Sequence, residues 1–518
     1  MPRYLKVDGR VVDEYAVGPS VAVRVVESGE SYVYCVSVPQ YSEEDLAAAE
    51  EVLEEVVYEL KPRELDEKLE KYLRDRGLEE KLVYLIKSRV AGYGWLEPFM
   101  LDPRLEDIHC FRPGHPVKVV HRDYGLMDSN VVPSREEVDF MVRLLAYRAG
   151  SSVSVLRPVR DTVILPTGDR AALVYRSEVS ESSSFTVRKF PRDPWTPTKL
   201  LSVNTASPEA LAFLWLAVEH RVPILVCGRM RTGKTSLSNA LCMFIPPDSS
   251  LCLVQDSPEM KVFHSNLLSL FTSDRVGFEE LAKLALRRSV DYIVVNEVRV
   301  REEAYWWAQL VGTGHGGITT IHSDSPAMAF ARLKDMGVEE SLASAVRVVV
   351  RTELYRGEAS GRKVRARRVD YVGFLLSLEG WRPETAPCYT YSPSEDRLER
   401  REGLREALGY LEEVAGRSLE AELKEKAFFL DLAARAGVLS AQDFWKTVVS
   451  YRRRPRDTLR ELEERAVLLE ERNLVLQPPR LKILEEVKYC PRCGAELRGS
   501  ACPRCGFKIS VLAGETGV

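Results

Sequence analysis

Gly228-Arg229-Met230-Arg231-Thr232-Gly233-Lys234-Thr235-Ser236 fits the pattern G-x-x-x-x-G-K-[ST]. The apolar run Ile224-Leu-Val-Cys227 leads into it, and Leu237, Ala240, Leu241 and Phe244 recur behind it at helical spacing. Strand, glycine loop and helix in this order predict a phosphate cradle. Glycine lets the loop approach an anion closely, and the N–H groups at the helix start point at it. Residues 228–236 would line the phosphates. Lys234 would reach the β- and γ-groups, and Thr235 would offer its hydroxyl to Mg²⁺. ATP with Mg²⁺ is the expected ligand pair.

The pattern extends downstream. Leu251–Val254, Tyr292–Val295 and Ile318–Ile321 are further short apolar runs separated by helical segments, which predicts a parallel sheet covered on both faces. Asp291-Tyr-Ile-Val-Val-Asn296-Glu297 ends a buried strand on a carboxylate suited to orienting an attacking water. The Mg²⁺-directed aspartate expected just before that glutamate is replaced by Asn296. Gly312-Thr-Gly-His315-Gly-Gly-Ile-Thr-Thr-Ile-His322 carries two histidines around a glycine turn and a short strand, both candidates for sensing the γ-phosphate.

Upstream, Tyr4–Val7, Asp8-Gly9 and Arg10–Val12 read as a hairpin, and Val21–Val26 with Tyr32–Val38 read as a second one. Two amphipathic helices are expected between Ser42 and Val90. Asp193-Pro-Trp-Thr-Pro197 reads as a linker, and Ser207-Pro208 as a helix start. Residues 396–474 read as charged helices.

The chain has 518 residues, 45% hydrophobic and 29% charged, which excludes wholesale disorder, collagen and a coiled-coil rod. Its 73 basic and 77 acidic side chains give a net charge of −4, which argues against a surface built throughout to clamp nucleic acid. No apolar run approaches the roughly 18 residues that span a bilayer. The first residues lack the apolar core of a signal peptide, so a cytoplasmic protein is expected. Cys35, Cys110, Cys227, Cys242, Cys252 and Cys388 are scattered and read as small core residues.

Taken in order, these boxes resemble the secretion ATPases of type II and type IV systems, the archaeal branch in particular. The likeness rests on Gly228–Thr235, Val254-Gln-Asp256-Ser-Pro-Glu259, Asn296-Glu297-Val-Arg299 and Thr313-Gly-His315 through His322. Upstream it rests on Gly92-Tyr-Gly-Trp-Leu-Glu-Pro-Phe99, Leu165-Pro-Thr-Gly-Asp-Arg170 and Phe185-Thr-Val-Arg188. The resemblance implies an α/β fold, a RecA-like P-loop NTPase domain preceded by an α+β N-terminal domain; the residues beyond it add a helical region and a small zinc ribbon. Domains are expected at 1–199, 200–394, 395–478 and 479–512. It further implies a hexameric ring, ATP gripped between two mobile domains, and a polytopic membrane platform protein as partner, with the ring peripheral to the inner face of the cell membrane. Arg170 and Arg188 would stabilise the charge of phosphoryl transfer, Glu297 would position water, His322 would act beside it, and Asp256 and Glu259 would form the acidic box. Arg299 and Arg287 would fasten subunit or domain contacts. Gln255, Asn296 and Val300 depart from the family pattern, and the expected result is a working but slow ATPase. A DNA-translocating or conjugative ATPase and a nucleotide-gated scaffold are the alternatives.

Cys490-Pro-Arg-Cys493 and Cys502-Pro-Arg-Cys505 supply four thiolates in two tight turns, the ligand set of a closed structural Zn²⁺ site. The basic runs Arg362–Arg368 and Tyr451–Arg456 read as solvated faces or strand edges, or as contacts for anionic headgroups.

Overall fold

The computed structural model describes residues 2–471 apart from 19, 30, 60–64, 191, 192, 274, 360 and 361, together with 482 and 483. The zinc-ribbon cysteines Cys490, Cys493, Cys502 and Cys505 lie outside the described residues. The chain divides into two compact units, Met1–Pro191 and Arg192–Val518.

The first unit is built on a nine-stranded sheet. Its strands run in the spatial order Arg10–Gly18, Val21–Ser28, Ser31–Ser37, Gly125–Ser129, Lys118–His121, Leu105–Cys110, Ser184–Arg188, Arg170–Val174 and Val159–Ile164. Alternation drives it: Val21, Val23 and Val25 are buried while Arg24 between them points outward. The second predicted hairpin forms, with Val21–Ser28 antiparallel to Ser31–Ser37. The first does not. Arg3–Tyr4 pairs instead with Val131–Val132, and the Leu5 N–H continues that pairing to the Asn130 carbonyl. Arg10–Gly18 is left to pair with Val21–Ser28. Three helices, not two, cover Glu43–Glu59, Leu65–Asp75 and Glu80–Val90; Gly77, at φ 69°, lies in the turn between the last two.

In the second unit, the strands Leu267–Phe271, Leu251–Gln255, Tyr292–Val295, Gly316–His322, Ile224–Gly228 and Val348–Ala359 lie side by side in that order and are all parallel. Ile224 and Val226 join one apolar core, Leu225 and Cys227 the other, so both faces of the sheet are covered. Beyond Val348–Ala359 the sheet turns antiparallel through Arg362–Glu379, Arg382–Ser392 and Arg397–Arg400. Helices Gly403–Ala415, Glu420–Arg435, Ala441–Arg453 and Pro455–Glu471 follow, and their buried residues belong to the same core as Ile224 and Val226. Among the described residues no helix is long and apolar enough to cross a membrane.

Candidate nucleotide site

The parallel strands deliver their C-terminal ends to one edge of the sheet, where open α/β sheets bind ligands. Gly228 closes its strand there. A Cβ on it would lie 2.5 Å from the Thr352 carbonyl oxygen and 2.6 Å from Thr232 Oγ1, so nothing larger fits. The loop then reverses through Arg231 at φ 65° and Gly233 at φ 99°, the second a left-handed position that glycine adopts freely. Thr232 is buried and braces the loop: its hydroxyl donates to the Arg229 carbonyl (2.9 Å) and lies 2.8 Å from Thr352 Oγ1. Outside the loop, Arg229 pairs with Asp324 (2.9 and 3.3 Å), and Arg367 donates to the Arg231 carbonyl (2.9 Å).

The helix Lys234–Cys242 begins at Gly233 with no side chain capping it. Its first N–H groups are therefore open to an anion, with the helix dipole behind them. Lys234 is buried; its Nζ donates to the Arg229 carbonyl (3.0 Å) and to His322 Nδ1 (3.1 Å). Burial lowers its proton affinity, and the Glu297 carboxylate works in the other direction. An ammonium can only donate, so Nδ1 is the acceptor and the imidazole is neutral with its proton on Nε2. Nε2 stands 2.8 Å from Glu297 Oε1, and Arg299 Nε donates to Glu297 Oε2 at 2.8 Å. Burial would raise the Glu297 carboxyl, yet His322 and Arg299 outweigh it and hold the group down at about 2. Arg299 also donates to Asp256 Oδ2 (2.7 Å). An unbroken line of polar contacts thus runs from Lys234 through His322, Glu297 and Arg299 to Asp256.

The acidic box closes the site. Gln255 is buried and brackets Met260, accepting from its N–H (3.0 Å) and donating to its carbonyl (3.3 Å). Asn296 donates from Nδ2 to Glu259 Oε2 (3.0 Å). Thr235 and Ser236 stand half-buried on the first turn of the helix, while Met230 is exposed. An uncapped helix start, a glycine cradle and hard oxygen donors on Thr235, Asp256, Glu259 and Asn296 fit a triphosphate with a divalent cation.

One sequence-based expectation changes. His315 does not join His322: it lies before the Gly316–His322 strand, at the opposite edge of the sheet, about 20 Å of extended chain away. There its Nδ1 binds the Leu310 carbonyl (2.9 Å) at the end of the helix Arg301–Gly312. Arg299, itself exposed, bridges Glu297 and Asp256. Arg170 and Arg188 belong to the first unit, where they face each other in register on adjacent strands. Arg170 donates to Thr162 Oγ1 (2.9 Å) and Arg188 to buried Asp107 (2.9 Å). Sequence reasoning missed Thr352, Asp324 and Arg332, whose Nη1 donates to the His322 carbonyl (2.6 Å). Only Asp324, two residues after His322, carried a signal.

Fold and site together define a P-loop protein built on a parallel sheet. The chain belongs to the type II/IV secretion system protein family, whose model matches residues 102–421, well over half of its length. An uncharacterized protein of Methanocaldococcus jannaschii is 32% identical over 404 residues, covering 76% of this chain and 66% of that protein. The conjugal transfer protein TrbB of Rhizobium radiobacter is 30% identical over 234 residues, 42% of this chain and 67% of its own. Among solved structures, the VirB11 ATPase of the Brucella suis type IV secretion system, in complex with sulphate, matches 54% of this chain and 95% of its own at 26% identity and a TM-score of 0.28.

Proposed function

We propose that this chain hydrolyses ATP and couples the cycle to a type II or type IV secretion machine, or to assembly of a pilus-like filament, at the cytoplasmic membrane. The observation that carries the reading is the line Lys234–His322–Glu297–Arg299–Asp256 beside an uncapped helix start. Lys234 holds a carbonyl and a neutral imidazole; a triphosphate offers anionic oxygens, a stronger partner for an ammonium. Its arrival draws the Lys234 ammonium off the His322 imidazole and onto the phosphate. Glu297, which His322 and Arg299 hold in its ionised form, accepts from the attacking water and orients it. Mg²⁺, when bound, neutralises charge on the β- and γ-oxygens, with the Thr235 hydroxyl among its holders. Arg170 and Arg188 supply further positive charge to the transferred phosphoryl group in this reading. The working form is a hexameric ring, peripheral to the membrane on its cytoplasmic side and engaging a polytopic platform protein. Cys490, Cys493, Cys502 and Cys505 hold a structural Zn²⁺.

ATP binding and turnover by the full chain test this. Lys234→Ala is expected to lose both, whereas Glu297→Gln keeps binding and loses about 10²- to 10⁴-fold in turnover. Wild-type turnover in either variant defeats the reading. The name of the conjugal transfer relative supports a second reading, a DNA-translocating motor. Hydrolysis stimulated by DNA and falling steeply with salt favours that one.

A further inference from the structure

Asn296 is 2% exposed and follows the strand Tyr292–Val295. Its backbone is fully committed: the N–H donates to the Val254 carbonyl (3.2 Å), and its own carbonyl accepts from Thr320 Oγ1 (2.8 Å). The side-chain amide is fixed by one bond, Nδ2 to Glu259 Oε2 at 3.0 Å. Among the described residues no group donates to Oδ1. Chemistry settles which end is which, because the reverse orientation would set an amide oxygen against a carboxylate. A buried acceptor without a donor is therefore held beside an anionic oxygen. Asn296 stands at the C-terminal end of its strand, immediately before Glu297, so the pair lies at the sheet edge that carries the glycine loop. Nor is the loop placed to swing round and satisfy Oδ1, since Gln255 pins it at Met260 through two bonds.

We infer that the Asn296 amide oxygen and the Glu259 carboxylate are a divalent-cation site, accepting hydrogen bonds from the coordinated water of the ion that accompanies the nucleotide. Asn296 thereby takes the place of the strand-end aspartate that the sequence lacks. Mg²⁺ keeps several of its waters and is commonly held through one or two carboxylates. Here one of the two acceptors is neutral, so the ion is bound weakly by protein alone and depends on the phosphates. The inference rests on the nucleotide reading and goes further than it.

The test uses the full chain. Mn²⁺ affinity is measured by electron paramagnetic resonance in the presence of ADP, and ATP affinity by titration in MgCl₂ and in EDTA. Asn296→Ala is expected to weaken Mn²⁺ about 10- to 100-fold, as loss of an outer-shell partner does, and to leave ATP affinity in EDTA unchanged. Asn296→Asp is expected to tighten Mn²⁺ and to enlarge the rise in melting temperature on adding MnCl₂, which keeps the test decisive should the alanine variant fold poorly. Unchanged Mn²⁺ affinity in both variants overturns the inference. So does an equal loss of ATP affinity with and without metal, which would leave Asn296 only a clamp on Glu259. Absence of ATP binding in the wild-type chain defeats the nucleotide reading itself, and this inference with it.

Discussion

His121 in the first unit is shut off from water, and its tautomer is fixed by its surroundings. Nδ1 accepts from the Asp123 N–H (3.1 Å), so the proton sits on Nε2, 3.2 Å from the Tyr15 hydroxyl. Tyr15 and Tyr34 both donate to Asp102 Oδ2 at 2.8 Å. A second proton on the ring would face a backbone donor. Burial lowers the proton affinity of His121, with Asp123 and Asp102 only partly opposing it. The folded state therefore favours neutral imidazole. This contribution to stability is complete above the unfolded value of about 6.5 and is lost as pH falls from there through the lower folded value. Melting temperature should drop between about pH 7 and pH 5, and the slope should shrink in His121→Gln. An equal slope in that variant refutes the assignment.

At the level of elements, the four central parallel strands were legible because they are buried on both faces and read as near-continuous apolar runs, whereas Leu267–Phe271, part-exposed at the margin of the sheet, and Val348–Ala359 were not. The cradle was legible because its glycines and its lysine have few other uses in that order. The antiparallel extension was not. Arg362–Arg368 looks like a solvated run, yet it lies within the strand Arg362–Glu379, and Arg368 is 3% exposed. Its Nε and Nη2 meet Asp396 Oδ1 and Oδ2 at 2.8 and 3.1 Å, and Tyr391 donates to the same carboxylate. A partner 28 residues away hides the arginine from any local pattern. The same holds for the second partner of Arg299, Asp256, which is 43 residues away. Asp396→Ala strands a buried guanidinium and should cost about 3–5 kcal/mol in chemical denaturation. The double change Arg368→Met with Asp396→Leu should recover most of that loss. Failure to recover would mean that the ion pair does more than fill its space.

At the scale of the second unit, the helices from Gly403 to Glu471 are part of the P-loop core, not an appendage to it. Trp215, on the helix Pro208–Glu219, stacks on Phe244 just beyond the P-loop helix at 4.7 Å and meets Phe429 edge-on at 5.6 Å. Lys426 lies 4.3 Å over the same indole and pairs with Glu219 (3.0 Å) and Glu422 (3.2 Å). Arg452 also reaches Glu219 and donates to the Phe244 carbonyl. Glu219 is thus a half-buried carboxylate whose two cations, among the described residues, come from the later helices. A chain ending at Arg400 would expose Trp215 and Phe244 and leave Glu219 without either cation. Exposed aromatic surface of that kind drives association, and a half-buried carboxylate stripped of its cations is itself destabilising. Such a truncation is expected to be insoluble or to unfold without a cooperative transition, and to lose ATP binding although Gly228–Ser236 is intact. Glu219→Gln in the full chain offers the milder version, with a lowered melting temperature and retained nucleotide affinity. A soluble truncated chain that binds ATP normally would show that the parallel sheet closes its own core, and that the helices serve something other than its stability.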